Sequence, residues 1–376
     1  MHLTARVLVF AAMLAAIAAL PASGATGTTS STAEETRVDL NKGVWVKGPN
    51  LPSARQDAAA TVMGGRIYLI GGFGPHSEQM ATTLVLEPTF PSEEARATEG
   101  GPIVSHPGEW HYAATMPEPV DHAAAAALDG YIYVAGGRIE NLVTNKFWRY
   151  DPIGDTWEEL PSMPVPRYGP VMQAVNGKLY LFAGQSSHGN DDTSMLIFDP
   201  QTNQWATRPY AVGDSRWLAA SAVIDGKIYL AGGRGMEQAN FRACDIYDPV
   251  SDRWRTCSNM HVGRSDFGLA TVNNRLMAIG GENLISDNSS GQGSTIMLDR
   301  IGPVTQTTEI SSTNGAGWMQ GPWMPYPRHG MAVVSLGNQI WVIGGSPYTG
   351  TAPTESVLRY VSPVIQIKFK GRKPPS

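Results

Sequence analysis

The sequence lacks most features that would assign a function directly. It has two cysteines, 16% charged residues and, after residue 25, no apolar run long enough to cross a bilayer. It contains no phosphate-binding loop and no nucleophile elbow. Its histidines show no zinc-binding spacing, although ligands drawn from distant repeats would escape such a search. We therefore predict no cofactor and no bound metal.

The charge balance is mildly acidic, with 28 lysines and arginines against 33 aspartates and glutamates. This balance does not favour nucleic acid as a partner. With 41 glycines and 27 prolines among 376 residues, the composition fits a loop-rich β protein.

The N-terminus has the features of a secretory signal peptide. Arg6 precedes an apolar run from Val7 to Leu20, and small residues follow as far as Ala25. About 14 apolar residues are too few to span a bilayer. We predict cleavage after Ala25, with an uncleaved anchor as the alternative, and a secreted or periplasmic mature chain without a membrane span. Residues 26–42 are rich in Ser and Thr, which predicts a flexible leader.

One short pattern occurs six times, an apolar run that closes on glycine. Residues 226–233 read GKIYLAGG, and the other copies end at Gly72, Gly137, Gly184, Gly281 and Gly345. Apolar residues crowd both faces of these runs, which is typical of strands covered on both sides. A tryptophan recurs in step, at Trp45, Trp110, Trp157, Trp205, Trp254 and Trp318. The glycine-closed runs and the tryptophans therefore repeat with the same spacing.

A period near ~50 residues with several strands per unit is typical of a propeller. The glycine doublets, the Tyr-Asp-Pro runs at Tyr150 and Tyr247, and the order Trp, Pro, Arg closely resemble kelch repeats over residues 43–362. The resemblance implies an all-β, six-bladed kelch β-propeller over residues 43–363, with four strands per blade, a to d from the centre outward. It leaves function open, because kelch propellers include protein-binding adaptors, sugar isomerases and copper oxidases.

The ring is predicted to close by pairing its two ends. Trp45 stands ten residues before Arg55, as in later units, so Gly43–Lys47 forms an outer strand without inner strands of its own. Its partners are predicted to be residues 329–336, 339–345 and 356–361. This pairing removes an exposed sheet edge. The tail of residues 364–376 also begins with strand-like alternation and could compete for that edge.

The two cysteines are predicted to form a disulfide. If Asp248 pairs with Arg253 across a hairpin, Cys244 directly faces Cys257. An exported protein favours a disulfide over two free thiols. This pairing also argues against a galactose-oxidase-like site, in which a cysteine is tied to a tyrosine beside copper.

Two insertions lengthen the period, residues 89–109 and residues 303–317. Both are predicted to lie in connections between strands c and d, on one face of the ring. We interpret them as tolerated surface loops, with a second contact surface as the alternative. Asn288 begins a glycosylation sequon.

The opposite face carries the candidate site. By kelch geometry, the connections from d to a and from b to c surround the mouth of the central channel. An arginine recurs there ten or eleven residues after the tryptophan, at Arg55, Arg167, Arg216, Arg264 and Arg328. Such arginines either bind ligand or donate to loop carbonyls of the scaffold, and we favour the scaffold role.

The residue directly after each doublet differs from copy to copy, so a shared packing role cannot explain it. Arg138, Arg234 and Glu282 occupy this position and are predicted to bind ligand. The aromatic residues predicted at the same mouth are Phe73, Tyr168, Trp217 and Phe267. Arginine forks beside flat rings suit a carboxylate-bearing sugar, a glycan or an acidic peptide loop.

Two functions fit these residues. The first, which we favour slightly, is an exported propeller that binds a protein loop, glycan or acidic ligand at an arginine-lined mouth. The second is a cofactor-free sugar mutarotase or epimerase, similar to the periplasmic N-acetylneuraminate epimerases and acting on an acidic sugar such as a sialic acid. Arg138 or Arg234 would then hold the sugar carboxylate. Glu282, His122 or His329 would move the proton that opens and recloses the sugar ring.

Overall fold

The computed structural model describes residues 39–89, 107–186, 194–209, 215–235, 239–283, 285–287, 294–296, 304–312 and 317–363. The predicted signal peptide, the leader up to residue 38, the sequon at Asn288 and the tail of residues 364–376 lie outside the described residues. All described residues belong to one compact unit. Within them, no helix has the length and apolar character that crossing a membrane requires.

The described residues form six four-stranded antiparallel sheets, which we number as blades 1 to 6. Blade 1 contains β2 (Ala59–Met63), β3 (Arg66–Ile70), β4 (Thr83–Leu86) and β5 (Trp110–Ala113). Blade 2 contains β6 (Ala124–Leu128), β7 (Tyr131–Ala135), β10 (Phe147–Asp151) and β11 (Thr156–Glu159). Blade 3 contains β12 (Val171–Val175), β13 (Lys178–Phe182), β14 (Ser194–Asp199) and β15 (Gln204–Pro209).

Blade 4 contains β16 (Ala220–Ile224), β17 (Lys227–Ala231), β18 (Cys244–Asp248) and β19 (Arg253–Thr256). Blade 5 contains β20 (Gly268–Val272), β21 (Arg275–Ile279), β24 (Thr308–Ser311) and β25 (Trp318–Gln320). Blade 6 contains β26 (Ala332–Leu336), β27 (Gln339–Ile343), β28 (Val357–Val361) and β1 (Val44–Lys47). Two hairpins, β8–β9 (Arg138–Ile139, Leu142–Val143) and β22–β23 (Ile285–Asp287, Ser294–Ile296), extend the connections from b to c in blades 2 and 5. The six-bladed all-β propeller is confirmed.

Strand a lies innermost, where the blades converge and side chains have the least room. Small residues such as Ala60, Ala126 and Ala222 line a central cavity of 320 Å³. Strand b lies behind it and is almost entirely buried, as β21 and β27 show. The apolar runs therefore fill the spaces between blades on both faces of the sheet.

The ring closes as the sequence predicts. β1 pairs antiparallel with β28, with Val44 opposite Val361. A short 3₁₀ turn, Leu40–Lys42, precedes β1, and the Tyr360 hydroxyl donates to the Leu40 carbonyl. Within the described chain, β1 thus supplies the outer strand of the last blade.

The repeated glycines and tryptophans hold each blade to its neighbour. The N–H of Gly137, the second glycine of its doublet, donates to the Arg167 carbonyl of the following blade at 2.7 Å. The Trp157 indole donates to the Ala114 carbonyl of the preceding blade at 2.9 Å. Gly137 has a φ of +91°, a conformation that residues with a Cβ rarely adopt. The two repeated residue types therefore mark contacts between blades.

The disulfide is confirmed. Cys244 and Cys257 are bonded, and Asp248 lies opposite Arg253 in the register that places the two cysteines face to face. The bond ties β18 to the end of the outermost strand of blade 4.

The position of the second insertion is wrong in the sequence-based prediction. Thr308–Ser311 is not part of a loop but strand c of blade 5. This strand is hard to recognise from the sequence because its residues are polar. Glu309 is nevertheless buried, and its Oε1 lies 3.1 Å from Nη2 of Arg264. The extra length of this blade therefore lies between β21 and β24, on the side of the mouth. Residues 89–109 do fall between β4 and β5, as predicted.

Candidate functional site

The five recurring arginines are part of the scaffold. Arg55, Arg167, Arg216, Arg264 and Arg328 are all 2% exposed or less. All five guanidinium groups donate to residues within or directly before strand c of their own blade. Those of Arg216, Arg264 and Arg328 also donate to the first glycine carbonyl of the doublet. Arg328, for example, donates to the carbonyls of Gly344 and Ser356 at 2.9 and 2.8 Å. Their burial and these partners favour the scaffold role, as expected from the sequence, over the alternative in which the five arginines bind ligand.

Six residues, one from each blade, form a narrow ring at the inner end of the mouth, which we call the neck ring. They are Asp57, His122, Gly169, Leu218, Asp266 and Gly330. Each backbone N–H donates to the carbonyl of the preceding member, and Asp57 donates to Gly330, at 2.7 to 3.2 Å. All six have a φ between 51 and 62°, which glycine adopts freely and which Asp and His tolerate better than most residues. This closed ring of backbone hydrogen bonds fixes three ionisable side chains around the channel axis.

A relay of charged groups joins Arg138 to the neck ring. Arg138 donates from Nε and Nη2 to Asp121 Oδ1 at 3.0 and 2.9 Å. Asp121 Oδ1 in turn lies 2.5 Å from His122 Nδ1. His122 Nε2 is left 3.2 Å from the Tyr168 hydroxyl and 3.3 Å from the Asp57 carboxylate. The side chain of Arg138 remains 26% exposed, so this relay begins at the surface of the mouth.

A second relay joins Arg234 to the opposite side of the ring. Arg234 forms an ion pair with Glu282. Glu282 Oε1 lies 3.5 Å from His329 Nδ1, which is 2.7 Å from Asp266 Oδ2. His329 Nε2 is 2.7 Å from the Tyr348 carbonyl oxygen. Because both ring nitrogens face oxygen acceptors, His329 is positioned to carry two protons and a positive charge.

The electrostatics agree with this protonation. Burial lowers the pKa of His329, but its hydrogen bond to Asp266 and the charges of Asp266 and Glu282 prevail and raise it to about 9. Burial opposes ionisation of Asp266 as well, yet the same hydrogen bond and charge leave its pKa below the usual value. The two side chains therefore form an ion pair at neutral pH.

Asp57 differs from Asp266, because the pKa of Asp57 lies above its usual value. Burial raises the pKa of Asp57 to about 7; the charge of His122 counteracts this and that of Asp266 adds to it. Burial lowers the pKa of His122, but the charge of Asp57 and the hydrogen bond to Asp121 raise it overall. Asp57, His122 and Asp266 line a cavity of 110 Å³ at the neck.

Three of the four predicted aromatic residues are buried. Phe73 and Trp217 are 8% and 5% exposed. The Phe73 ring centre nevertheless lies 5.9 Å from the Arg138 guanidinium and 6.0 Å from the His122 ring centre. Ligand contact by Phe73 and Trp217 stays a prediction. Phe267 is also buried but forms part of the lining of the neck cavity. Tyr168 keeps partial exposure, and its ring centre lies 4.5 Å from the Arg138 guanidinium.

Three residues of the site were not predicted from the sequence: Asp57, Asp121 and Asp266. Asp57 and Asp266 stand two residues after a repeated arginine, the position that forms the neck ring. A comparison of that position across the repeats would have found both, together with His122. Asp121 and Arg138 form an isolated β-bridge. In every blade, the residue after the arginine position pairs in this way with the residue after the doublet.

Comparison with known proteins agrees with this architecture. Residues 115–281 match the KLHDC2/KLHL20/DRC7 kelch-repeats domain. Beta-scruin of Limulus polyphemus is 26% identical over 185 residues, which cover 46% of this chain and 18% of that protein. Kelch-like protein 35 of Mus musculus is 27% identical over 173 residues, 46% of this chain and 26% of that protein. The chain thus spans less than a third of the length of these two relatives.

Two further matches cover most of the propeller. Kelch-like protein terF of Aspergillus terreus is 26% identical over 346 residues, 86% of this chain and 69% of that protein. The solved structure of YjhT superposes with a TM-score of 0.67 at 19% identity, over 82% of this chain and 95% of that chain. Propellers of this kind commonly serve as protein-binding scaffolds. From its repeats, its six blades and these matches, the chain is a kelch-repeat protein with the six-bladed kelch β-propeller fold.

Proposed function

We propose that the chain is an exported kelch propeller that holds a ligand at the mouth of its central channel. Charged side chains that differ from blade to blade converge at this mouth, and their convergence carries the proposal. Residues that serve only the fold recur around the ring, as the buried arginines do. Arg138, Arg234 and Glu282 do not recur, and each reaches the neck ring through a relay of ion pairs.

The charge of the mouth favours a hydroxyl-rich ligand, a glycan, over a strongly acidic one. Arg138 and Arg234 are already ion-paired with Asp121 and Glu282. Their positive charge is therefore largely balanced before a ligand arrives, and an anion would also meet carboxylates. Sugar hydroxyls both donate and accept, which matches a surface that alternates arginine donors with carboxylate acceptors.

A ligand screen with one arginine variant tests this proposal. Thermal shifts of the mature protein are measured with neutral oligosaccharides, acidic sugars and acidic peptides. We expect a neutral oligosaccharide to stabilise the fold, by about 2.7 kcal/mol at a hundred times its Kd. Arg138→Ala should weaken that binding about tenfold or more, because a hydrogen bond from a charged donor is worth about 1.5 to 3 kcal/mol. Calorimetric titration gives both affinities.

Arg149 supplies a matched control. It pairs with Glu158 at 2.6 Å and lies 4.5 Å from the ring centre of Tyr131, but it stands on β10 rather than at the mouth. Arg149→Ala therefore removes one ion pair and one cation–π contact and should leave ligand binding unchanged. Equal losses in Arg138→Ala and Arg149→Ala, or binding of acidic peptides alone, would contradict a glycan site at the mouth.

A second candidate function is a sugar mutarotase or epimerase at the same mouth. It is favoured by the placement of His329 between the carboxylates of Asp266 and Glu282, an arrangement that can give and take protons. NMR of any bound sugar distinguishes the two functions. Accelerated interconversion of anomers or epimers that is lost in Glu282→Gln supports the isomerase, and unchanged spectra support binding alone.

We also propose that the protein is exported. The N-terminal pattern of Arg6 and the apolar run that follows supports this, as does the disulfide, because disulfides persist in oxidising compartments. N-terminal sequencing of the exported protein should begin at Thr26. A product that retains Met1 would contradict cleavage.

A further inference from the structure

The neck ring has a feature that ligand binding at the mouth does not use. Asp57, His122 and Asp266 come from three different blades, and one oxygen or nitrogen of each lies within 4.8 Å of those of the other two. Asp57 is more than nine-tenths buried, and its Oδ1 has no hydrogen-bond partner within the described part of the chain. We propose that these three side chains bind a divalent transition-metal cation at the neck of the channel.

The donor set decides the class of metal. Two carboxylates and one imidazole suit Zn²⁺, Mn²⁺ or Fe²⁺, whereas Ca²⁺ prefers oxygen donors alone. Bonds of about 2.1 Å place two donors of one metal no more than ~4.2 Å apart. Small side-chain rotations therefore bring the three donors into range. The neck cavity of 110 Å³ leaves space for the cation and for water.

The groups behind two of the three ligands, His122 and Asp266, orient them for a metal. Asp121 is bonded to His122 Nδ1, which directs the other ring nitrogen, Nε2, toward the neck. A carboxylate behind a ligating histidine is the usual arrangement at metal sites, because it fixes the tautomer and the ring orientation. On the other side, His329 engages one oxygen of Asp266 and leaves the second available.

The charge at the neck also calls for a cation. Of the side chains in the neck ring, two are carboxylates, one is an imidazole and none belongs to lysine or arginine. Arg138 and Arg234 lie farther out, each paired with its own carboxylate. His329 already offsets the charge of Asp266. When His122 is neutral, as a metal ligand must be, the carboxylate that a bound divalent cation would chiefly neutralise is that of Asp57.

Metal binding is tested on the mature protein after dialysis against EDTA. Calorimetric titration with Zn²⁺ should show one site per chain, and elemental analysis after desalting should give the same stoichiometry. Asp57→Asn and His122→Asn should each weaken Zn²⁺ binding at least tenfold, because loss of an orienting partner alone costs about 10- to 100-fold. Asparagine tolerates the positive φ of both positions. His111→Asn, which removes an exposed imidazole on β5, should bind like the parent.

A second measurement does not depend on the variants. Mn²⁺ bound to the parent protein should show nitrogen coupling from a single imidazole in pulsed electron paramagnetic resonance. Bound Mn²⁺ without nitrogen coupling overturns the site, even if both variants fail to fold. No stoichiometric Zn²⁺ binding, or Zn²⁺ binding that stays unchanged in Asp57→Asn and His122→Asn, overturns it as well. Loss of glycan binding with intact metal binding would refute only the function proposed for the mouth.

Discussion

Replacement of Arg264 by leucine is expected to lower the free energy of unfolding by about 3 to 5 kcal/mol. The guanidinium of Arg264 is fully buried. It donates to the carbonyls of Gly280 and Thr307 at 2.8 and 3.0 Å and to Glu309 at 3.1 Å. Leucine fills part of the space but leaves a buried carboxylate and two carbonyls without this donor. Denaturant unfolding, followed by tryptophan fluorescence, measures the loss.

Two variants separate the scaffold role of Arg264 from a ligand role. Arg253→Leu removes an exposed arginine of β19 and should change stability by no more than about 0.5 kcal/mol. Arg264→Lys keeps the charge but loses the planar fork, so its stability should fall between those of the parent and Arg264→Leu. If Arg264→Leu keeps the stability of the parent and loses its ligand instead, Arg264 belongs to the binding site.

Proline at Val46 is expected to open the ring and to lower stability by about 3 kcal/mol. The Gly48 N–H donates to the Val357 carbonyl at 2.8 Å, and Val46 lies opposite Arg359 in the same register. Because every second N–H of a strand faces the same neighbour, the Val46 N–H also points toward β28. Proline removes that donor, displaces β1 and exposes the edge of β28. Denaturant midpoints and light scattering should report lower stability and association through the exposed edge.

Lys47 provides the matched control for ring closure. Its N–H points away from β28, and proline is tolerated on an edge strand when the lost N–H faces solvent. Lys47→Pro should therefore stay monodisperse and close to the parent in stability. Equal stability losses at both positions would mean that β1 does not close the ring through its hydrogen bonds to β28.

The fold could be predicted from the sequence because its repeated residues make the same contact in successive blades. A doublet glycine such as Gly137 must approach the next blade closely at positive φ, and a tryptophan such as Trp157 must reach the preceding blade. Because the same contact needs the same residue type at the same position of successive blades, the repeat is visible in the sequence. Strand c of blade 5 was missed because the burial of Glu309 depends on a distant arginine, Arg264, which no local pattern shows.

The site was predicted less well, because its composition depends on which side chains meet across the channel axis. Kelch geometry placed Arg138, Arg234 and Glu282 at the mouth, and in the structure ion pairs join all three to the residues of the neck. It could not show that both arginines are paired with carboxylates, which changes the charge that a ligand meets. Nor could it bring Asp57 and Asp266, 209 positions apart, into one ring, because that proximity arises only when six blades close around an axis.

A crystal structure of the mature protein with an oligosaccharide that stabilises it tests the central claim most directly. We predict sugar density over the neck ring, within hydrogen-bonding distance of Arg138 or Arg234 and beside the ring of Tyr168. Density on the opposite face, near the connection between β4 and β5, would contradict it, because the charged relays of the mouth would then have no part in binding.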